Sequence, residues 1–147
     1  MKIHLATDHA GFELKNQIMQ YLVDQDYEVS DHGAFEYDEN DDYPLFVSKA
    51  VQAVSEDTEN NMGIVFGGSG EGEEMVANKF PHVRSAVYYG GNLEIVKLAR
   101  EHNNANILSL GARFVGLPEA KDAIKLFLET KFSGDERHVR RLNEFDN

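Results

Sequence analysis

The stretch GIVFGGSGEGEEMVANK, residues 63–79, runs an apolar segment into a turn of four glycines and then into a helical pattern. MGIVF (62–66) is a short continuous apolar run bounded by turn residues, the mark of a strand buried on both faces. Gly67, Gly68, Gly70 and Gly72 form the turn, and a helix is expected near 72–79. Strand, tight turn and helix in succession form the unit from which parallel sheets are wound.

The same alternation extends in both directions. KIHLAT (2–7) reads as a strand and GFELKNQIMQYLVDQ (11–25) as a helix with Leu14, Ile18 and Leu22 on one face. YEVSDHG (27–33) alternates as a short strand, and PLFVSKAVQAVSED (44–57) is helical with Pro44 suited to its first turn. Beyond the glycine turn come a strand at RSAVYY (84–89), a helix at NLEIVKLAREH (92–102) and a strand at NILSL (106–110). A helix at LPEAKDAIKLFLET (117–130) and a last polar helix near 135–145 complete the chain. Five strands separated by helices predict one α/β domain over residues 1–147. Its expected form is a three-layer α/β/α sandwich with a five-stranded parallel sheet, Rossmann-like in architecture.

At 147 residues, 41% apolar and 27% charged, the chain has the composition of a globular domain with one core. No apolar run is long enough to span a bilayer, and a strand beginning at Lys2 leaves no room for a signal peptide. Cysteine is absent, which removes disulfides, thiolate metal sites and cysteine nucleophiles. A cytoplasmic location is the expectation. The net charge of −12 repels nucleic acid and anionic membranes, so neither is an expected partner. Small anionic ligands need positive charge gathered locally, and three of the six arginines lie in RHVRR (137–141). The acidic loop FEYDENDDYP (35–44) is expected to be solvated. Asp38, Asn40 and Asp42 alternate as calcium ligands do, but Tyr43 stands at the glycine position and Lys49 at the closing glutamate, so a calcium loop is excluded.

The glycine turn is not a nucleotide loop. A Walker loop closes with Gly-Lys-Ser/Thr, whereas Gly72 is followed by Glu73 and Glu74. A dinucleotide fingerprint counted from Gly68 ends on Glu73, and from Gly70 on Met75. Glu71, Glu73 and Glu74 would also repel a pyrophosphate. What remains is a row of backbone N–H groups at a helix N-terminus. Such a row stabilises one negative charge developing on an oxygen, and a carboxylate beside it can remove the proton whose loss creates that charge. This pair suits proton abstraction next to a carbonyl. A plain tight turn with an acidic helix start would have the same letters.

DHAG (8–11) follows the first strand as GGSGEGE (67–73) follows the third. In an open parallel sheet, ligands sit outside the carboxyl ends of the strands where the winding reverses. With the first and third strands adjacent, Asp8, His9, Ser69 and Glu73 converge on one crevice; Asp8 would equally serve as a helix cap. His4, inside a strand, reads as a packing histidine, and His32 and His82 as loop residues. On a helix, Arg137 and Arg141 share a face with His138 at its edge. Two guanidinium forks so placed suit a phosphate dianion, the alternative being a solvated face. His102 and Asn103 precede the fifth strand, at the opposite end of the sheet from Asp8 and Glu73. If His102 acts in the same reaction, the implied arrangement is a homodimer in which each crevice is completed by the neighbour, or a tetramer containing such pairs.

Taken in order, ATDHAGFELK, DDYP, GGSGEGE, ANK, REHNNAN, GAR and RHVRR make the chain resemble the type B ribose-5-phosphate isomerase family, which includes galactose-6-phosphate isomerase subunits. Each motif is weak alone; the ordered set covers nearly the whole chain. One branch of that family uses a cysteine base at the start of the glycine turn, where Gly67 stands here. The other uses a glutamate at the helix start, where Glu73 stands, and a chain without cysteine falls in the second branch.

The resemblance implies an aldose–ketose isomerase acting on a phosphorylated sugar, ribose 5-phosphate to ribulose 5-phosphate, within pentose phosphate metabolism. His102 of the partner subunit would donate the proton that opens the furanose ring, with Asp8 assisting, and Glu73 would carry the proton from C2 to C1. Backbone N–H groups along Gly68, Ser69, Gly70, Glu71 and Gly72, with the Ser69 hydroxyl, would stabilise the enediolate. His9, Arg113, Arg137 and Arg141 would hold the phosphate, Asn103 a sugar hydroxyl or the intermediate, and Tyr43 would line the pocket. Neither a cofactor nor a metal is implied. Glu71 is an extra acid within the turn. The rivals are a hexose 6-phosphate or tetrose 4-phosphate as substrate, and an inactive phosphosugar-binding subunit. A receiver-like regulatory module is disfavoured, because Gly67 stands where it needs a phospho-accepting aspartate.

Overall fold

The computed structural model describes residues 1–146. In chain order these form β1 (Lys2–Thr7), a 3-10 turn (His9–Gly11), α1 (Phe12–Asp24), β2 (Glu28–Asp31), α2 (Tyr43–Glu56) and β3 (Asn61–Gly67). Then follow α3 (Glu71–Ala77), β4 (Ser85–Tyr88), α4 (Glu94–Asn103), β5 (Ile107–Gly111), α5 (Leu117–Glu129) and α6 (Glu136–Phe145). Each expected element is present, with ends within two residues of those read from the periodicity.

The strands form one parallel sheet in the order β2-β1-β3-β5-β4. Met62, Ile64 and Phe66 of β3 face one side, where they join Leu14, Ile18 and Leu22 of α1 and Ala120, Ile124 and Phe127 of α5. Val65 faces the other side with Val47, Val51 and Val54 of α2 and Ala77 of α3. Both faces are therefore covered, which is why the central strand β3 carries a near-continuous apolar run. Full burial of each valine, leucine, isoleucine, methionine or phenylalanine among these side chains stabilises the fold by about 1.5–3 kcal/mol.

The winding reverses between β1 and β3. They are hydrogen-bonded neighbours, with Thr7 opposite Phe66, yet α1 leaves toward one face and α3 toward the other. The two loops part at this point and leave a crevice at the carboxyl ends of the strands. At the opposite end of the sheet, α4 stops on Asn104, whose φ of 46 is left-handed. There α6 docks: Ser133 donates its N–H to Glu101 O at 2.9 Å, Leu142 is buried, and Arg84 Nη1 meets Asp146 Oδ2 at 2.8 Å. The edge strand β4 is tied to α3 by Asn78, whose amide accepts from Ser85 N at 2.9 Å and donates to Ser85 O at 3.2 Å.

Candidate active site

The crevice is built from the ends of β1 and β3. Thr7 Oγ1 contacts Phe66 O at 3.0 Å and Asp8 O at 2.9 Å, which joins the two strand ends. Asp8 is buried and caps the 3-10 turn, accepting from Ala10 N at 2.9 Å. His9 gives both its backbone N–H (2.9 Å) and its Nδ1 (2.7 Å) to Asp41 Oδ1. That bond, more than any other influence, raises the His9 pKa above the usual imidazole value, and Asp8 adds to it. His9 is thereby prepared to carry a proton toward an anion.

Asp41 corrects the expectation for the acidic loop. Most of residues 35–44 is exposed, but the Asp41 side chain is 9% exposed and bound to His9. Its neighbour Tyr37 sets its ring edge-on to both His9 and Phe12. Asp8, His9 and Asp41 form the one trio among the described residues whose ligand atoms lie close enough to hold a cation, all within 4.8 Å of one another. Here the His9 and Asp41 atoms are already bonded together, an arrangement suited to an imidazolium facing an anion rather than to a metal-bound imidazole.

The glycine turn hangs from β5 by its carbonyls. Gly67 O accepts from Ala112 N at 2.8 Å, Gly68 O from Arg113 N at 3.1 Å, and Gly70 O from Ser109 Oγ at 2.6 Å. Gly70 sits at φ 83, a left-handed conformation that a side chain would strain. These three bonds fix the turn against the end of β5, where it leads directly into α3. The N–H of Glu71 is engaged by Ser69 Oγ at 3.3 Å.

Glu73 lies in the first turn of α3 and is only 4% exposed. Its carboxylate fills the space above Gly67, so that a Cβ at Gly67 would fall on top of it. Burial raises the Glu73 pKa and the charge of Asp8 raises it further, while a bond from its own backbone N–H opposes them. A carboxylate so placed is a stronger base than a solvated one. Glu74, also raised by burial and by Glu71, lines instead the groove beside β4 with Asn78 and Ser85.

Asp8, His9, Tyr43, Gly68, Ser69, Gly72, Glu73 and Arg113 together line a cleft of about 350 Å³. Tyr43 brings its hydroxyl over Gly72, and the Arg113 guanidinium lies over Gly68. Grooves of about 640 and 720 Å³ lie beside β4 and α1; neither places a buried carboxylate next to the turn. His102, Asn103, Arg137 and Arg141 are not in this cleft. They sit where α4 ends and α6 docks, beyond the amino end of β5. The seven residues of β3 put that end roughly 20 Å from the cleft. Arg137, Asn103 and Arg141 are exposed, whereas His138 is buried against His102.

Three residues in supporting positions escaped the sequence reading. Asp41 was visible only as part of DDYP, Ser109 as one polar letter in an apolar strand, and His138 as the edge of a basic face. The expectations for His4 and His32 hold. His4 is buried and bonded through both nitrogens, to His32 at 2.8 Å and Asn61 at 3.1 Å. His32 lies in the loop just after β2, as expected, and is half-buried through its bond to His4.

A buried carboxylate packed against a glycine turn thus lies at the switch point of a doubly wound sheet, the place where such sheets hold small ligands. The model of the ribose/galactose isomerase family matches residues 3–145, and the chain belongs to that family. Ribose-5-phosphate isomerase B of Mycolicibacterium paratuberculosis is 43% identical over 97% of this chain and 88% of its own length. That of Escherichia coli is 37% identical over 96% and 91%. Among solved structures, ribose-5-phosphate isomerase B from Mycoplasma genitalium with bound ribulose-5-phosphate superposes with a TM-score of 0.93. It is 36% identical and covers 99% of this chain and 93% of that one.

Proposed function

We propose that this protein interconverts ribose 5-phosphate and ribulose 5-phosphate through a cis-enediolate, in a site completed by a second copy of the chain. The observation that carries the reading is the Glu73 carboxylate, buried above Gly67 in the glycine turn. His102 of the partner subunit protonates the ring oxygen while Asp8 takes the proton of the anomeric hydroxyl, giving the open aldehyde. Glu73 then removes the C2 proton, and negative charge on O1 falls to the N–H groups of the turn and the Ser69 hydroxyl. Return of that proton to C1, with the O2 proton passing to O1, yields the ketose. His9 and Arg113 meet the phosphate from one subunit, and Arg137 and Arg141 of the partner subunit from the other; Asn103 of the partner subunit binds a hydroxyl and Tyr43 closes the wall. The backbone of Glu71 shapes the turn in this scheme.

The separation of the two residue groups within one chain supports the shared site. A positioned base contributes about 10²–10⁴-fold, and one oxyanion donor about 10²–10³-fold, so the parts named are large enough to matter. In this reading the substrate is a cytoplasmic metabolite. Among the described residues no helix is long and apolar enough to cross a membrane.

The test is incubation with ribose 5-phosphate in D2O, followed by proton NMR. Ketose formation with deuterium at the exchanged carbon is expected, abolished by Glu73→Gln and retained in Glu74→Gln. The reverse pattern overturns the assignment of the base. Tetrose 4-phosphate and hexose 6-phosphate run in parallel read the preferred chain length. Mixing Glu73→Gln with His102→Ala subunits is expected to regenerate one working crevice per heterodimer. No recovery after confirmed subunit exchange would refute the shared site.

A further inference from the structure

Where α4 meets α6, the rings of His102 and His138 lie face to face, centroids 4.3 Å apart and planes 14° from parallel. His138 is 5% exposed, and its Nε2 is buried without a hydrogen-bond partner among the described residues. Leaving such an atom unpaired costs folding free energy. The contrast with His4 is direct, since both of its ring nitrogens are bonded. The ring at 138 is therefore not held in place through Nε2, and its flat stack on His102 is the contact that distinguishes it.

What it does touch is the face of His102. The charged and titratable groups around it are His102 from α4, Arg137 and Arg141 from α6, and Asp135 at the N-cap of α6. Burial above all, then His102 and the two arginines, hold His138 toward its neutral form, with Asp135 opposing. A neutral ring can lie flat against an imidazolium, as aromatic faces do with cations; two charged rings at that spacing repel.

We infer that His138 is the positioning residue of the proton donor: its flat face, stacked on His102, fixes the plane from which His102 reaches the ring oxygen of the furanose in the neighbouring crevice. This rests on the reading of His102 as the ring-opening acid. It acts on one half of the reaction only. Ribose 5-phosphate is held as a furanose through its C4 oxygen and must be opened. Ribulose 5-phosphate has its C5 oxygen esterified, cannot close a furanose, and meets the enzyme as the open chain. Removal of its C1 proton by Glu73, and return of a deuteron from solvent, needs no ring-opening acid.

The experiment follows both events in D2O for wild type, His138→Ala, His138→Phe, His102→Ala and Glu73→Gln. Ribose 5-phosphate turnover is measured beside deuterium entry at C1 of ribulose 5-phosphate. His138→Ala is expected to lower turnover of ribose 5-phosphate by about tenfold or more, as misorientation does, while C1 exchange stays near the wild-type rate. His138→Phe, which keeps a flat face, restores ring opening to within about threefold on the same grounds. A parallel loss of both reactions in His138→Ala, wild-type turnover in that variant, or a phenylalanine variant as poor as alanine would each overturn the inference. If His138→Ala does not fold, His138→Leu, which fills the space without a flat face, takes its place in the same comparison. Failure of the underlying scheme looks different: wild type would show neither reaction, Glu73→Gln would keep both, or His102→Ala would lose exchange as fully as turnover.

Discussion

Replacing Gly67 with alanine adds one carbon where the Glu73 carboxylate now lies. The atoms meeting that Cβ most closely are the carboxyl carbon and both oxygens of Glu73, so it is the base that must give way. To restore ordinary contact the carboxylate has to retreat by roughly 1 Å or more, and a misplacement of that size costs about 10²-fold in rate. Stability is expected to change far less. Gly67 has no left-handed φ, and the obstacle is the end of a flexible side chain. The loss then lies near the lower end of the ~1–3 kcal/mol that overpacking costs, and at ~2–4 °C per kcal/mol the melting temperature falls by only a few degrees. The assay pairs steady-state isomerisation of ribose 5-phosphate with thermal unfolding followed by circular dichroism. A folded Gly67→Ala protein with wild-type kcat would refute the placement of Glu73 as the base.

The acid limb of the kcat/KM profile is expected above the usual carboxylate range, because burial and Asp8 both raise Glu73; Asp8→Asn should move that limb to lower pH, and an unmoved limb would remove Asp8 from its neighbourhood. His4 and His32 are both held below the usual imidazole pKa, chiefly by burial. The unfolded chain thus binds more protons at mildly acidic pH, so their contribution is present above about pH 6.5 and lost as pH falls below it. Urea unfolding at pH 7.5 and 5.5 should show this, with the difference narrowed by His32→Asn; an unchanged difference would acquit the pair. Lys15 Nζ is fully buried and held by both oxygens of Asp31 at 2.6 Å and by Ala34 O at 3.0 Å. Asp31→Ala should therefore cost about 3–5 kcal/mol, and the double change with Lys15→Met less, as denaturant titration would reveal; equal losses would mean the charge is not the cause.

The fold was legible because its strands announce themselves. MGIVF is an unbroken run of apolar and glycine residues, NILSL is a largely apolar one, and α1 and α5 carry their apolar residues at helical spacing, so local pattern and tertiary burial agree. The order β2-β1-β3-β5-β4 brought Asp8 and Glu73 to one crevice, as expected from adjacent first and third strands. What stayed hidden depends on contacts between segments far apart in the chain. Asp41 lies 32 residues from His9, and nothing in a run of acidic letters says which one turns inward. In α6 the buried pair is His138 and Leu142, four apart, but three arginines in five residues hide that stripe behind their charge. The space shared by Gly67 and Glu73 is likewise invisible in a string of letters, since only the first turn of α3 folds one back over the other.

That shared space also limits what can be added to this chain. A side chain at 67 and the carboxylate of Glu73 compete for one volume, so a cysteine introduced at 67 would push the carboxylate out of line rather than add a second reactive group beside it. What one position may hold is set by sterics at the other as much as by chemistry, and a single glycine keeps the gate.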